Sequence, residues 1–197
     1  MEIAIFGGSF DPPHVGHLLT AAWLLMTEPI DELWFVPVRD HPFGKRFGAS
    51  FDQRVSLCEK AVASLGLART RISRAEERVG GDGRTVDLLE MLTLEHPLDR
   101  FALVMGSDIL QETALWKRFD RVSELARIIR VQRKGHELPD LPAAVLPEIS
   151  STDVRARLAA GSPLAGLVPR AVLEQIAEGG LYGVSTSARS PLSSQPR

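Results

Sequence analysis

The chain has 197 residues, a length that fits one domain, or one domain with an appendage. Hydrophobic residues make up 44% and charged residues 24%, an ordinary globular composition, and a net charge of -2 with both signs intermixed argues against a nucleic-acid or membrane-surface partner. One cysteine excludes an intramolecular disulfide, and no apolar run approaches the ~18 residues of a spanning helix.

The first ten residues, MEIAIFGGSF, lack the basic segment of a signal peptide, so the expected location is the cytoplasm. Residues 2–6 (EIAIF) read as a short buried strand that runs into Gly7-Gly8. Residues 16–27 have helical spacing and no breaker before Pro29. Residues 32–36 (ELWFV) read as a second strand, stopped by Pro37, and a loop with His, Gly, Lys and Arg fills 38–50. Residues 51–64 form an amphipathic helix whose apolar stripe contains Cys58, an expected buried and inert thiol. A short strand is expected at 71–74, a flexible loop at 80–83 (GGDG) and a helix at 85–95, ended before Pro97.

Residues 101–105 (FALVM) read as a buried strand running into Gly106-Ser107-Asp108. One or two short helices fall in 109–125, a strand at 126–131, a polar loop at 132–137 and a short strand at 143–146. Helices follow at 151–160 and 169–178, the second closed by Gly179-Gly180. Strands alternate with helices, and the strands are continuous apolar runs, the pattern of an α/β fold with a parallel sheet covered by helices on both faces. Residues 184–197 are rich in Ser, Pro and Arg, and are expected to be a disordered tail to a domain of residues 1–183.

In open parallel sheets ligands bind at the carboxyl ends of the strands. The first strand ends in Gly7-Gly8-Ser9-Phe10, where two glycines let the backbone approach a ligand. Neither GxGxxG nor a P-loop is present. Instead His14-Val15-Gly16-His17 begins a helix, so two imidazoles three residues apart share a face at an N-terminus that favours anions. Gly16 removes a side chain that would block a phosphate, and Pro12-Pro13 stiffens the approach. A metal site would need a third ligand, and Asp11, the one nearby carboxylate, is held back by those prolines, so no metal ligands are assigned. Far downstream, residues 149–155 (ISSTDVR) offer a second helix start, with Ser150, Ser151 and Thr152 as caps or phosphate donors and Arg155 one turn in. The basic loop at 132–136 is short and has no interleaved aromatics, which reads as a solvated loop rather than a nucleic-acid contact.

Residues 7–17 (GGSFDPPHVGH) followed by 149–155 resemble the HxGH nucleotidyltransferase superfamily, and specifically the nicotinate-nucleotide adenylyltransferases of bacterial NAD synthesis. The resemblance runs from about residue 3 to residue 183. It takes in Val36-Pro37, a loop ending at Lys45, Arg54, residues 84–89 (RTVDLL), residues 105–108 (MGSD), Trp116 and residues 133–135 (RKG) in that order.

The resemblance implies a Rossmann-like doubly wound sheet and transfer of AMP from ATP to nicotinate mononucleotide, giving deamido-NAD and pyrophosphate. It implies that Gly7, Gly8, Ser9, Phe10, Gly16, His14 and His17 hold ATP phosphates, with His17 stabilising the transition state. Ser150, Ser151, Thr152 and Arg155 match the β- and γ-phosphate site, and Gly106 and Asp108 match the segment near the adenylate ribose. Asp108 as a helix N-cap is the other reading of that residue. Lys45, Arg46, Thr85, Trp116 and Arg133 are the implied acceptor contacts, with Trp116 as core packing the competing reading. Mg²⁺ is expected to ride on the ATP phosphates. His14, His17, Lys45 and Arg155 are expected to neutralise charge as the acceptor phosphate attacks in line.

Three departures touch the acceptor side: His41-Pro42-Phe43-Gly44-Lys45 where the family has P-P-H-K, Gly83-Arg84-Thr85 for Ser-Tyr-Thr, and Lys117 where an aromatic is common. Nicotinamide mononucleotide and phosphopantetheine therefore stay open as acceptors, beside a non-catalytic nucleotide-binding regulator. Such a regulator should have lost a histidine of H-x-G-H or Arg155, and this chain keeps all three. The sequence leaves the oligomeric state open.

Overall fold

A computed structural model describes residues 1–40, 46–79, 84–110, 116–141, 146–164 and 166–185. Five strands form one parallel sheet: β1 (Glu2–Gly8), β2 (Glu32–Pro37), β3 (Thr70–Ile72), β4 (Arg100–Gly106) and β5 (Ala126–Val131). Their order is β3-β2-β1-β4-β5, so the chain winds outward from β1 to one edge, returns, and winds to the other. The direction of winding reverses between β1 and β4, and their carboxyl ends flank the crevice where such sheets bind ligands.

The sheet is buried on both faces, which is why its strands carry no polar alternation. Ala4, Phe6, Leu33, Phe35, Ala102 and Val104 point to one side and pack on α1 (Val15–Thr27), α2 (Phe51–Leu65), α6 (Ser151–Ala159) and α7 (Arg170–Glu178). Ile3, Ile5, Trp34, Val36, Phe101, Leu103 and Met105 point to the other and pack on α3 (Thr85–Glu95) and α5 (Phe119–Leu125). The short α4 (Ser107–Leu110) continues directly from β4. The layered, doubly wound α/β reading of the sequence holds.

Local signals explain most boundaries. Ser50 caps α2 by accepting from Gln53 N–H, while the Gln53 side chain accepts from Ser50 N–H, a capping box. Gly66 ends the same helix at φ 65°. Cys58 is fully buried and its thiol is pushed up by that burial, as expected of an inert core residue.

Some expectations are refined. The strand expected at 71–74 lies at Thr70–Ile72, after which Ser73 still donates its N–H to Phe35 O before the chain turns. Two 3-10 turns, Ala75–Glu77 and Leu181–Gly183, had no sequence signal as helices. Leu146 is not in a strand, and the rest of the strand expected at 143–146 lies outside the described residues, as do the loop at 80–83 and residues 186–197 of the tail. No helix among the described residues is long and apolar enough to cross a membrane.

Candidate active site

β1 delivers its glycines to a crowded turn. A side-chain carbon on Gly8 would lie 3.0–3.2 Å from the Phe10 ring, whereas one on Gly7 would meet nothing within 4 Å. Phe10, at φ 45°, folds its ring back into the core against Phe6 and stands edge-on to His17 at 4.9 Å. A side chain at position 8 would thus press on the Phe10 ring, which would have to give by a few tenths of an ångström.

The chain then enters α1 through His14, the N-cap. His14 N–H donates to His17 Nδ1 at 3.1 Å, and the two imidazoles stack at 3.6 Å with 24° between their planes. Because Nδ1 of His17 accepts, the proton of its neutral ring belongs on Nε2. The sequence assigned Gly16 to phosphate access. The structure gives a nearer reason: a side-chain carbon there would sit 3.1 Å from His14 Nδ1, so glycine makes room for the imidazole itself.

His14 is buried and His17 half-buried, and burial pushes His14 down to about 4. Burial, then the charges of His14 and Arg133, hold His17 well below the usual imidazole range. Both rings are therefore neutral near pH 7. Burial thus disfavours the charged form of both rings, and the cationic side chains lining the cleft are Arg133 and Arg155.

At the end of β4, a side-chain carbon on Gly106 would fall 2.2 Å from Asp108 Oδ1 and 3.4 Å from Arg133 Nε. Asp108 is not the N-cap of the following helix, because α4 already begins at Ser107. The Ser107 hydroxyl instead accepts from Arg133 N–H at 2.8 Å, which pins the segment after β5 to the end of β4.

α6 faces this group from the other side. Ser150 caps it by accepting from Asp153 N–H at 3.0 Å, and Ser151 Oγ donates to Pro12 O at 2.9 Å. Arg155 donates from Nη1 to Asp11 O at 2.5 Å and from Nη2 to Thr152 Oγ1 at 3.2 Å. The N-termini of α1 and α6 thus meet over the sheet switch point.

Ser9, His14, His17, Asp108, Arg133 and Arg155 line one cleft of about 260 Å³, with Phe10 and residues 150–152 in its walls. Three of its polar atoms, His14 Nδ1, Asp108 Oδ1 and Arg133 Nε, are buried without a hydrogen-bond partner. Buried polar groups are ordinarily paired, so three orphans in one cleft mark a place shaped for a polar ligand.

The acceptor residues suggested by resemblance do not join this cleft as a set. Arg133 stands with the histidines and Asp108 in the cleft. Thr85 begins α3, and Trp116 is half-buried against the α3 face of the core, edge-on to Phe119 at 6.0 Å. Neither lines the cleft. Arg46 is exposed, and Lys45 and His41 lie outside the described residues.

Sequence reasoning gave no site role to three residues. Arg54 is fully buried, with Nη1 donating to Ser9 O at 2.8 Å and its guanidinium 3.9 Å from the Phe47 ring centroid. Asp11 is 2% exposed and takes N–H groups from Gly48 and Ala49 at 2.8 and 3.2 Å. Tyr182, the one tyrosine of the chain, donates its hydroxyl to Asp11 Oδ1 at 2.9 Å. The available signals were an arginine in an apolar helical stripe, an acid between Phe and Pro, and an aromatic among glycines.

Comparison with known proteins agrees with this geometry. The cytidylyltransferase-like family model matches residues 5–157. A probable nicotinate-nucleotide adenylyltransferase of Anaeromyxobacter dehalogenans is 49% identical over 185 residues, covering 92% of this chain and 96% of its own. The corresponding Myxococcus xanthus protein, of the same description, is 41% identical over 93% of this chain and 96% of its own. Among solved structures, Plasmodium falciparum nicotinic acid mononucleotide adenylyltransferase complexed with NaAD superposes with a TM-score of 0.76 at 18% identity, covering 94% of this chain and 99% of its own, a likeness of fold.

Proposed function

The chain belongs to the cytidylyltransferase-like family and, within it, to the nicotinate-nucleotide adenylyltransferases, and we infer from this that it transfers AMP from ATP to nicotinate mononucleotide. The products are deamido-NAD and pyrophosphate, a step of NAD biosynthesis. The observation that carries the reading is the convergence of His14 Nδ1, Asp108 Oδ1 and Arg133 Nε, all unpartnered, in the cleft between two helix N-termini.

The attacking group is a phosphate oxygen of the acceptor, already anionic, so no general base and no covalent intermediate is needed. That oxygen forms a bond to the α-phosphorus of ATP as the bond to the bridging oxygen of pyrophosphate breaks. The catalytic task is alignment and stabilisation of charge on the transferred group. His17 Nε2–H, set by the bond from His14 N–H to Nδ1, is the proposed donor to the α-phosphate in the transition state. Arg155, at the head of α6, is proposed to fork onto the leaving pyrophosphate, and Arg133 to stand beside the α-phosphate with the histidines. Asp108 is proposed to accept from the ribose of ATP. Lys45 and Arg46 remain proposed contacts of the acceptor phosphate, and Thr85 and Trp116 of the pyridine.

No group of three or more His, Cys, Asp or Glu among the described residues could hold a metal ion. Of the two carboxylates lining the cleft, Asp11 is occupied by its protein donors and Asp108 Oδ1 is unpartnered. The donor set fits Mg²⁺ only as an ion carried in by the ATP phosphates, where it would offset their charge.

A pyrophosphate-release assay with ATP and three acceptors tests the reading. Nicotinate mononucleotide should support turnover at a kcat/KM well above nicotinamide mononucleotide and phosphopantetheine. Release with none of them would defeat the assignment.

A further inference from the structure

We propose that Tyr182 is a positioning residue for ATP: through Asp11, its hydroxyl keeps Arg155 available to the terminal phosphates. The proposal rests on the reading of Arg155 as a phosphate ligand given above.

Asp11 lines the cleft and places a carboxylate beside the proposed polyphosphate site. Four donors surround that carboxylate. Gly48 N–H lies 2.8 Å and Arg155 Nη1 3.4 Å from Oδ2. Ala49 N–H lies 3.2 Å and the Tyr182 hydroxyl 2.9 Å from Oδ1. The four come from three segments distant in sequence: the run before α2, α6 one turn past its start, and the 3-10 turn after α7.

Arg155 is shared between Asp11 and the cleft. Its close bonds go to the main-chain oxygen of Asp11 and to Thr152, and the contact with the Asp11 carboxylate is long. An incoming phosphate competes with that carboxylate for the same guanidinium. The phenol fills the coordination of Oδ1 and weakens the hold of Asp11 on Arg155. Without it, Oδ1 keeps only the 3.2 Å bond from Ala49, and Arg155 is drawn onto the carboxylate.

The surroundings of Tyr182 are built to hold it there. Its backbone sits at φ 57°, ψ 28°, a left-handed conformation that side chains other than glycine adopt at a cost. Gly180 and Gly183 on either side share the left-handed region and shape the turn. A side-chain carbon on Gly48 would lie 2.8 Å from two ring carbons of Tyr182 and 3.2 Å from Arg155 Cδ, so Gly48 is the floor on which both side chains rest. Burial, with the charge of Asp11, pushes the phenol above its ordinary range, so it remains a donor at any working pH.

The test uses Tyr182→Phe, which keeps the ring and removes the hydroxyl. Isothermal titration with ATP and with AMP, which lacks the terminal phosphates, gives the readout. ATP should bind on the order of ten-fold more weakly, the loss expected for one hydrogen bond to a charged group, while AMP binding and the KM for nicotinate mononucleotide stay within two-fold. In an Arg155→Gln background, Tyr182→Phe should weaken ATP no further. Equal weakening of ATP and AMP, an unchanged ATP affinity, or full additivity with Arg155→Gln overturns the proposal. A wild-type protein that binds ATP no more tightly than AMP overturns the phosphate reading of Arg155 and this inference with it.

Discussion

His14 and His17 stack with ring centroids 3.6 Å apart, and the backbone N–H of the first holds Nδ1 of the second. Two imidazolium rings at that separation repel, and burial and the charge of Arg133 both disfavour protonation of the pair. The pair is therefore a neutral donor couple, with the orientation of His17 written into the first turn of α1.

Neutrality has a consequence for stability. His14 titrates near 4 when folded, against about 6.5 in an unfolded chain. Between those values the unfolded state binds more protons, so stability rises with pH across the window and falls on acidification from 6.5 toward 4. The His14 share at pH 4 is a loss of about 3 kcal/mol relative to pH 7. Urea unfolding of wild type and His14→Asn at pH 7.0 and 4.5 measures it. The variant should lose clearly less stability on acidification, and parallel profiles would contradict the placement of His14.

His17→Ala should lower kcat by about 10²-fold or more, the usual loss for a transition-state donor. ATP affinity should fall by less than ten-fold, because the other phosphate contacts remain. His17→Asn, which retains an N–H donor, should recover part of the loss. Near-wild-type turnover of the alanine variant in a pyrophosphate-release assay would remove His17 from the mechanism.

Gly106→Ala should behave like a carboxylate lesion. Its new carbon would lie 2.2 Å from Asp108 Oδ1, so that side chain must rotate out of place while the backbone stays at an ordinary φ. The expected pattern is a raised KM for ATP, similar to that of Asp108→Ala, with a thermal midpoint within a few degrees of wild type. The double variant should add little to either single one. A KM for ATP unchanged in Gly106→Ala would show that Asp108 does not serve the nucleotide from its present rotamer.

What the sequence revealed and what it hid divide along contact range. β1, α1 and the His14–His17 pair are legible because apolar runs, glycines and i, i+3 spacing are local features. Arg155 is legible for the same reason, one turn past a Ser-Ser-Thr cap. The Asp11 hub is not, since its donors come from residues 48, 49, 155 and 182, and only folding brings them together. Arg133 was given to the acceptor through resemblance. The bond from its backbone N–H to Ser107 Oγ, across 26 residues, brings it beside the end of β4 and the histidines, a neighbourhood that only the fold reveals.

Arg54 shows how a residue of ordinary appearance can support the cleft from below. In sequence it is one cation in an amphipathic helix, where a solvated side chain is the default. In the fold it is fully buried, and its fork joins two loops: Nη1 donates to Ser9 O at 2.8 Å and Nη2 to Arg39 O at 3.4 Å, beneath the Phe47 ring. Ser9 belongs to the turn that leads to the histidines, and Arg39 precedes the segment that contains Lys45. Removing the guanidinium would strand two carbonyls and open a cavity. Arg54→Ala should thus cost about 3–5 kcal/mol. Arg54→Lys keeps the charge but offers a single ammonium that cannot fork to both carbonyls. It should cost about 1–3 kcal/mol and raise the KM for ATP and for the acceptor together, since it frees a loop on each side. Guanidinium unfolding and steady-state kinetics on Arg54→Lys decide the matter. A full-strength lysine variant would mean that neither loop depends on this arginine for its position.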